Sequence, residues 1–283
     1  MGRFIAAAAV AAALAASPAA AQTVGLAGEQ PLPPPTEQRD FIQVGLGAAI
    51  NSDYDGSNDY RIIPGGVLRA SYRGIAIQSE GLGLSADLIN TGRKVDFDLG
   101  PALTVNLNRS GNIRDDIVDL LPERDVAVEV GGIAGLTFKA LTNPYDSLGA
   151  RVKVTHDIAG AHESTIFNPS LSFGTPLSLT TYVGASLSAE FVGNKYADYY
   201  FSVSPAEALV SGLQPFDADG GMKDWSVGLL LGQSLSGDLR RGWGLFGLAN
   251  YSRLVGDFKR SPLVRDRGSA NQWFAGAGVG YTF

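Results

Sequence analysis

The chain has no cysteine in its 283 residues. That excludes disulfides, thiolate metal sites and a lipid anchored on a cysteine behind a leader. It has two histidines, His156 and His162. Their spacing does not fit the HExxH pair of a zinc helix, and no GxSxG nucleophile elbow accompanies them. Positive charge is short: 22 Lys and Arg stand against 28 Asp and Glu, a formal net charge of −6. A nucleic-acid partner would want a basic face, so that partner class is excluded. Beyond the first residues, no stretch approaches the roughly 18 consecutive apolar residues of a membrane-spanning helix. Charged residues are scarce at 18%, whereas glycine is plentiful at 36 residues.

The N-terminus carries the strongest local signal. Arg3 precedes the apolar run FIAAAAVAAALAA at 4–16, and Ala19-Ala20-Ala21 offers a small-residue cleavage site. The run is too short to span a membrane and fits a secretory signal peptide over 1–21. Residues 22–40 contain Pro31 and Pro33 to Pro35, which predicts an extended Pro-rich periplasmic linker. Residues 41–283 form the body of the protein.

In that body, apolar side chains recur at every second position. In VDFDLGPALTVNL (95–107), Val95, Phe97, Leu99, Leu103, Val105 and Leu107 share one face; Asp96, Asp98, Thr104 and Asn106 share the other. A helix would mix the two sets, whereas a strand separates them. The final stretch, NQWFAGAGVGYTF, behaves the same way, with Trp273, Val279, Tyr281 and Phe283 on its oily face. The pattern predicts twelve strands, near 41–50, 61–72, 74–79, 82–90, 95–107, 125–139, 147–158, 164–175, 179–192, 223–235, 242–254 and 272–283. Long links fall only on odd-numbered connections, and an even strand count leaves both chain ends on one side. That is the layout of an all-β transmembrane antiparallel up-and-down barrel, with short periplasmic turns and long extracellular loops. A soluble barrel has no reason to sort loop length by end. Aromatics fall in two groups. Phe41, Tyr72, Phe97, Phe138, Trp243, Tyr281 and Phe283 lie toward the periplasmic rim; Phe191, Trp225 and Trp273 lie toward the outer rim, as interfacial girdles require. Outer-membrane lipid is then the first partner, and the oily faces look outward at it.

The opposite faces supply candidate lumen charges: Arg69, Arg73, Asp87, Asp96, Asp98, Glu129, Lys139, Arg151, Lys153, Asp157, Glu190 and Asp224. Both signs are present, so they either pair across the lumen and brace the wall or line a narrow polar channel. In the long loop 193–222, Ser204-Pro205-Ala206-Glu207 reads as a capping box with Pro at the first helical position, and Gly212 reads as a left-handed C-terminal cap. In 108–124, Ile113, Ile117 and Leu120 have helical spacing, with Asp115 and Asp116 in a first turn and Pro122 as a stop. The carboxylates there lack the glycine-bearing pattern of a calcium loop. No catalytic, cofactor or metal site is assigned. The rivals to a non-enzymatic barrel are a passive porin-like channel and a hydrolase using His162.

Four stretches resemble the MipA/OmpV family of outer-membrane proteins: YDGSNDYRIIP (54–64), YYFSVSPAEALVSGLQPFDADGGMKD (199–224), RLVGDFKRSPLV (253–264) and GVGYTF (278–283). The residues that carry the resemblance include Tyr54, Gly56, Ser57, Tyr60, Arg61, Pro64, Tyr200, Ser204, Glu207, Gly212, Gly221, Ser261 and Pro262. The resemblance implies a barrel in the outer membrane of a Gram-negative bacterium, without a cofactor. For some members it implies a scaffold linking a lytic transglycosylase to a penicillin-binding protein; others are associated with adhesion or osmotic response.

Overall fold

A computed structural model describes residues 40–89 and 94–283. The expected leader, and the linker up to residue 39, lie outside the described residues. The remainder is a closed antiparallel barrel of twelve strands, each bonded to its sequence neighbours and the last to the first. The strands are β1 (Phe41–Ser52), β2 (Tyr60–Tyr72), β3 (Ile75–Glu80), β4 (Gly83–Asp87), β5 (Val95–Asn106), β6 (Ala127–Lys139), β7 (Ser147–Asp157), β8 (Thr165–Pro176), β9 (Thr181–Val192), β10 (Gly221–Ser234), β11 (Gly242–Leu254) and β12 (Asn271–Thr282). Each expected strand is present, with ends shifted by a few residues at most. The wall closes where β1 meets β12, for instance Gly45 opposite Gly280 and Ala49 opposite Gly276. Closure leaves no edge at that seam, which is the condition for strands to survive in hydrocarbon.

Burial alternates along each strand, and its sense is inverted relative to a soluble protein. The exposed set is apolar: Leu46, Phe97, Leu99, Leu229 and Trp273. The buried set is polar: Asp96, Asp98, Glu129, Ser172, Ser226 and Gln272. Lipid takes the place that the core would otherwise fill. The two aromatic belts are visible as ring contacts. Trp243 meets Tyr281 at 5.1 Å between centroids, and Tyr281 meets Phe283 at 4.7 Å, on the periplasmic side. On the outer side Trp225 meets Tyr251 at 5.6 Å and Tyr251 meets Trp273 at 4.7 Å. Tyr251 belongs to the outer belt and is absent from the sequence-based set, because β11 alternates poorly.

One pair of strands departs from the rest. β3 and β4 have 6 and 5 residues, while the other ten have 11 to 14. A membrane strand needs roughly 9–11 residues to cross. The β3–β4 hairpin therefore covers only the periplasmic end of β2, although on its other side β4 reaches Thr104 near the outer end of β5.

Candidate functional site

The largest fully buried apolar side chains, Tyr54, Tyr196, Tyr200, Phe201, Phe258 and Leu263, sit in the loops of the outer end. The loop 193–220 folds into α1 (Asn194–Phe201) and α2 (Pro205–Ser211), and the loop 255–270 carries the short α3 (Pro262–Arg265). Tyr196, Ala197, Tyr200 and Phe201 of α1 pack with Phe258 and Val264, and with Ile166, Val192 and Leu254 at the tops of β8, β9 and β11. A second cluster joins Tyr54, Val118, Leu121, Val203, Leu213 and Leu263. Ring contacts knit the first cluster, with Phe201 edge-on to Phe258 at 5.0 Å. Together these loops form a dry cap inside the outer mouth.

Polar groups lock the loops to one another. The Tyr54 hydroxyl donates to the Leu263 carbonyl at 3.1 Å, and the Ser261 hydroxyl donates to the Phe201 carbonyl at 2.6 Å. Ser57 is fully buried and bridges to Gly268. Gly56 has φ +98°, and a Cβ there would meet Val264 at 2.4 Å, so only glycine fits. Arg124 pairs with Glu207 at 3.0 Å, and Arg267 pairs with Asp115 at 2.8 Å. Arg109 donates to the Tyr200 carbonyl at 3.2 Å. Burial, with Arg124 beside it, pushes the Arg109 guanidinium down to about 10. Burial likewise pushes the Tyr54 and Tyr200 phenols up and the Asp53 carboxyl up. The resemblance residues thus converge here: Tyr60 and Arg61 at the top of β2, Tyr200, Ser204, Glu207 and Gly212 around α1 and α2, Gly221 (φ +145°) opening β10, and Ser261 and Pro262 starting α3.

The capping box formed as read. Ser204 Oγ accepts from the Glu207 N–H, the Glu207 carboxylate accepts from the Ser204 N–H, and Gly212 closes the helix at φ +72°. The expected helix in 108–124 shrank to a single 3₁₀ turn, Val118–Leu120. The Asp115 carboxylate caps the turn by taking the N–H groups of Ile117 and Val118, but Leu121, directly before Pro122, is already extended and ends it. Val118, not Leu120, is the residue buried.

Both caps depend on ionised carboxylates. Burial works against Glu207, but its hydrogen bonds with Ser204 and the charges of Arg124 and Arg109 outweigh it, and its pKa is lowered. Asp115 is also lowered: the bond from Arg267 and the N–H groups of Val118 and Ile117 overcome its desolvation. A depressed carboxylate stabilises the fold above its unfolded-state pKa, and that contribution is lost as pH falls through the folded-state value. Backbone hydrogen exchange in 204–212 and 115–120, corrected for intrinsic rates, is therefore expected to be slow at pH 7. It should accelerate below about pH 4, the ordinary carboxylate range, before the strands respond.

Beneath the cap lies a buried charge cluster. Lys223 Nζ sits 3.1 Å from Asp55, 2.6 Å from Glu190 and 3.4 Å from Asp224, with the Tyr196 ring 5.6 Å away. Strict alternation assigns Lys223 to the lipid face next to Asp224. A register shift between Met222 and Asp224 turns it inward, as a bulge does when it re-aims a side chain. No signal in the sequence marks that shift. His162 is buried beside Glu129, with Nε2 to Oε1 at 3.5 Å, and it stacks edge-on with Tyr196 at 4.9 Å. His156 lies on the outward face, bonded to Thr165. The two histidines are not brought together.

Lower in the lumen the charges pair. Lys139 meets Asp96 at 2.9 Å, and Asp98 accepts from Thr137 at 2.9 Å. Arg151 and Lys153 of β7 both reach Glu80 of β3, at 3.4 and 3.1 Å. Three strands lie between those partners, so the bond is a chord across the lumen. Glu80 precedes Gly81 and reads in sequence as turn punctuation, which keeps it out of the expected lumen set. Asp87 accepts from the Leu99 and Ile89 N–H groups, and Asp157 accepts from the N–H groups of Val128, Ala159, His162 and Glu163. Arg69 is buried in the wall. Arg73 is a correction: it occupies the tight β2–β3 turn at φ +51°, is exposed, and lies over the Tyr72 ring. The strand ends one residue before it, so the alternation cannot be carried through it.

The family match agrees with this architecture. Residues 44–283 match the family described as MltA-interacting protein MipA. Outer membrane protein Omp26La of Vibrio anguillarum is 33% identical over 107 residues, which are 38% of this chain and 37% of that protein; the match spans little more than a third of its length. Among solved structures, an outer-membrane channel from Pseudomonas putida F1 is similar with a TM-score of 0.49 at 10% identity, covering 88% of this chain and 97% of the other. An anion-selective porin from Comamonas acidovorans gives a TM-score of 0.36 at 10% identity, covering 87% and 99%. With its twelve-stranded wall, outward apolar faces and a match that runs from the first strand to the last residue, the chain belongs to the MltA-interacting protein MipA family and is an outer-membrane β-barrel.

Proposed function

We propose that this protein is a non-enzymatic outer-membrane anchor that holds a lytic transglycosylase of the MltA type at its periplasmic rim. The family description supplies the partner class. The observation that carries the reading is a cluster of open apolar side chains on three neighbouring periplasmic turns; on the outer side Leu209 and Val210 of α2 are open too, but they stand on one helix above the packed cap. Leu177 and Leu179 are 66% and 78% exposed, and Leu141, Tyr145 and Leu235 join them on neighbouring turns. The Leu239 N–H donates to the Leu179 carbonyl, which ties two of those turns together. Apolar side chains clustered on a rim of short turns are what a docking partner covers.

The test is capture of a solubilised MltA-type transglycosylase on the refolded barrel. Leu179→Asp is expected to weaken capture by about tenfold or more, the scale of an interface hot spot. Deleting residues 24–38 measures the contribution of the Pro-rich segment. Adding a bifunctional penicillin-binding protein to the same capture tests the second partner suggested by the resemblance. Unchanged capture by the Leu179→Asp variant removes the rim from the proposal.

A further inference from the structure

The barrel wall has a window. β2 runs for 13 residues, but β3 pairs with only its lower end, from Tyr72 opposite Ile75 to Arg69 opposite Gln78. The next contact upward is the Leu68 N–H donating to Ser79 Oγ at 2.9 Å. Above it, among the described residues, no strand pairs with that edge of β2 from Tyr60 to Val67, although β1 pairs with the other edge throughout. On the far side, β4 covers β5 up to Thr104, and the Leu82 carbonyl accepts from the Val105 N–H. The opening is thus bounded below by the hairpin tip at Glu80–Gly83 and on one side by Ile62, Pro64 and Gly66. Its top is a lintel: Arg114 donates to the Tyr60 carbonyl at 2.8 Å, and the Arg61 guanidinium reaches the Asn112 carbonyl.

Its level is that of the hydrocarbon. Pro64 to Gly66 lie at the middle of β2, and the strand's membrane face there is bare, with Ile62 77% exposed. An unpaired edge at that depth is costly because lipid offers no hydrogen bonds. This edge is adapted to lipid. The Leu68 N–H points away from β1 and is taken by Ser79. Alternate residues share its direction, so Pro64 falls on the same edge and brings no N–H at all.

Behind the window the lumen is apolar. Ile63 and Gly65 of β2, Gly47 and Ala49 of β1, and Phe274 and Gly276 of β12 share the inward face there. A Cβ at Gly65 would meet nothing within 4 Å, so space opens directly inside the frame. None of the twelve charges read from the sequence lies on β1, β11 or β12. The charged chord from Arg151 and Lys153 ends on the sill at Glu80, and Arg69 lies on β2 below the frame, so the apolar lining is the stretch above them.

We propose that this window is a lateral access route by which an uncharged hydrocarbon-like molecule in the outer leaflet reaches the lumen without passing the capped mouth. This goes beyond the anchor role and does not depend on it. The lack of cysteine makes a direct test possible. Single-cysteine variants are inserted in liposomes and treated with pyrene maleimide dissolved in the bilayer, or with a sulfonated, membrane-impermeant maleimide in the water. The Gly65→Cys thiol is expected to react with the pyrene reagent about tenfold faster than the thiol of Ser172→Cys, a lumen position on the intact wall, since a thiol behind a complete wall reacts only through local opening. Leu229→Cys, on the lipid face, sets the upper limit. Leu82→Trp, which puts a ring on the sill, is expected to slow labelling of Gly65→Cys by a similar factor. If that doubly substituted barrel fails the heat-modifiability check for folding, the ratio of the two single variants decides alone. Three results overturn the proposal: equal slow labelling at 65 and 172, labelling at 65 by the sulfonated reagent only, or labelling that requires deletion of 24–38 because that segment covers the edge.

Discussion

Replacing residues 194–219 by a short Gly-Ser linker is expected to turn a barrel that is electrically silent in a planar bilayer into one that conducts in steps. The removed segment contains α1 and α2. Tyr196, Ala197, Tyr200 and Phe201 are at most 1% exposed and fill the mouth between the tops of β8 and β9 and the loop 255–270. Without the segment, Phe258 and Val264 lose the α1 rings, Leu263 loses Val203 and Leu213, and the remaining loops open to water. The twelve-stranded wall survives, because its ladders run from β9 to β10 below the deletion. What then limits current is the chord from Glu80 to Arg151 and Lys153, so adding Glu80→Ala is expected to raise the step size further. Resolved steps from the intact protein would show that the cap does not seal the mouth and would favour a channel over an anchor.

Lys223→Ala is expected to cost the folded cap about 3–5 kcal/mol, the range for removing one partner of a buried charge cluster. The reason is the company Lys223 keeps. Asp55 comes from the first loop, Glu190 from β9 and Asp224 from β10. Deleting the ammonium leaves three carboxylates facing one another beneath an apolar cap. They must take up protons or admit water, and either outcome loosens α1, whose Tyr196 ring rests on the same ammonium. Hydrogen exchange across 193–220 should accelerate accordingly, while β5 to β8 stay protected. Adding Glu190→Gln and Asp224→Asn to Lys223→Ala removes the repulsion and is expected to recover part of the loss. Unaltered exchange in Lys223→Ala would mean that water already solvates the cluster.

The wall and the local caps are legible in the order of residues alone. Strand alternation has a period of two residues, and the choice between lipid and lumen is made residue by residue. Phe97 and Asp98 therefore declare their faces without knowledge of the rest of the chain. The Ser204–Glu207 box and Gly212 are legible for the same reason: their partners are three and four residues apart. The contacts that could not be read this way join groups far apart in the chain. The Tyr54–Leu263 bond spans 209 positions, and Lys223–Asp55 spans 168. Their meeting requires the barrel to close and bring β1 beside β12. The inward turn of Lys223 comes from a bulge, Glu80's reach across the lumen from the curvature of the wall, and the window from a hairpin too short to finish its side. Each of these depends on where neighbouring strands stand, and a side chain's own sequence context carries no record of that.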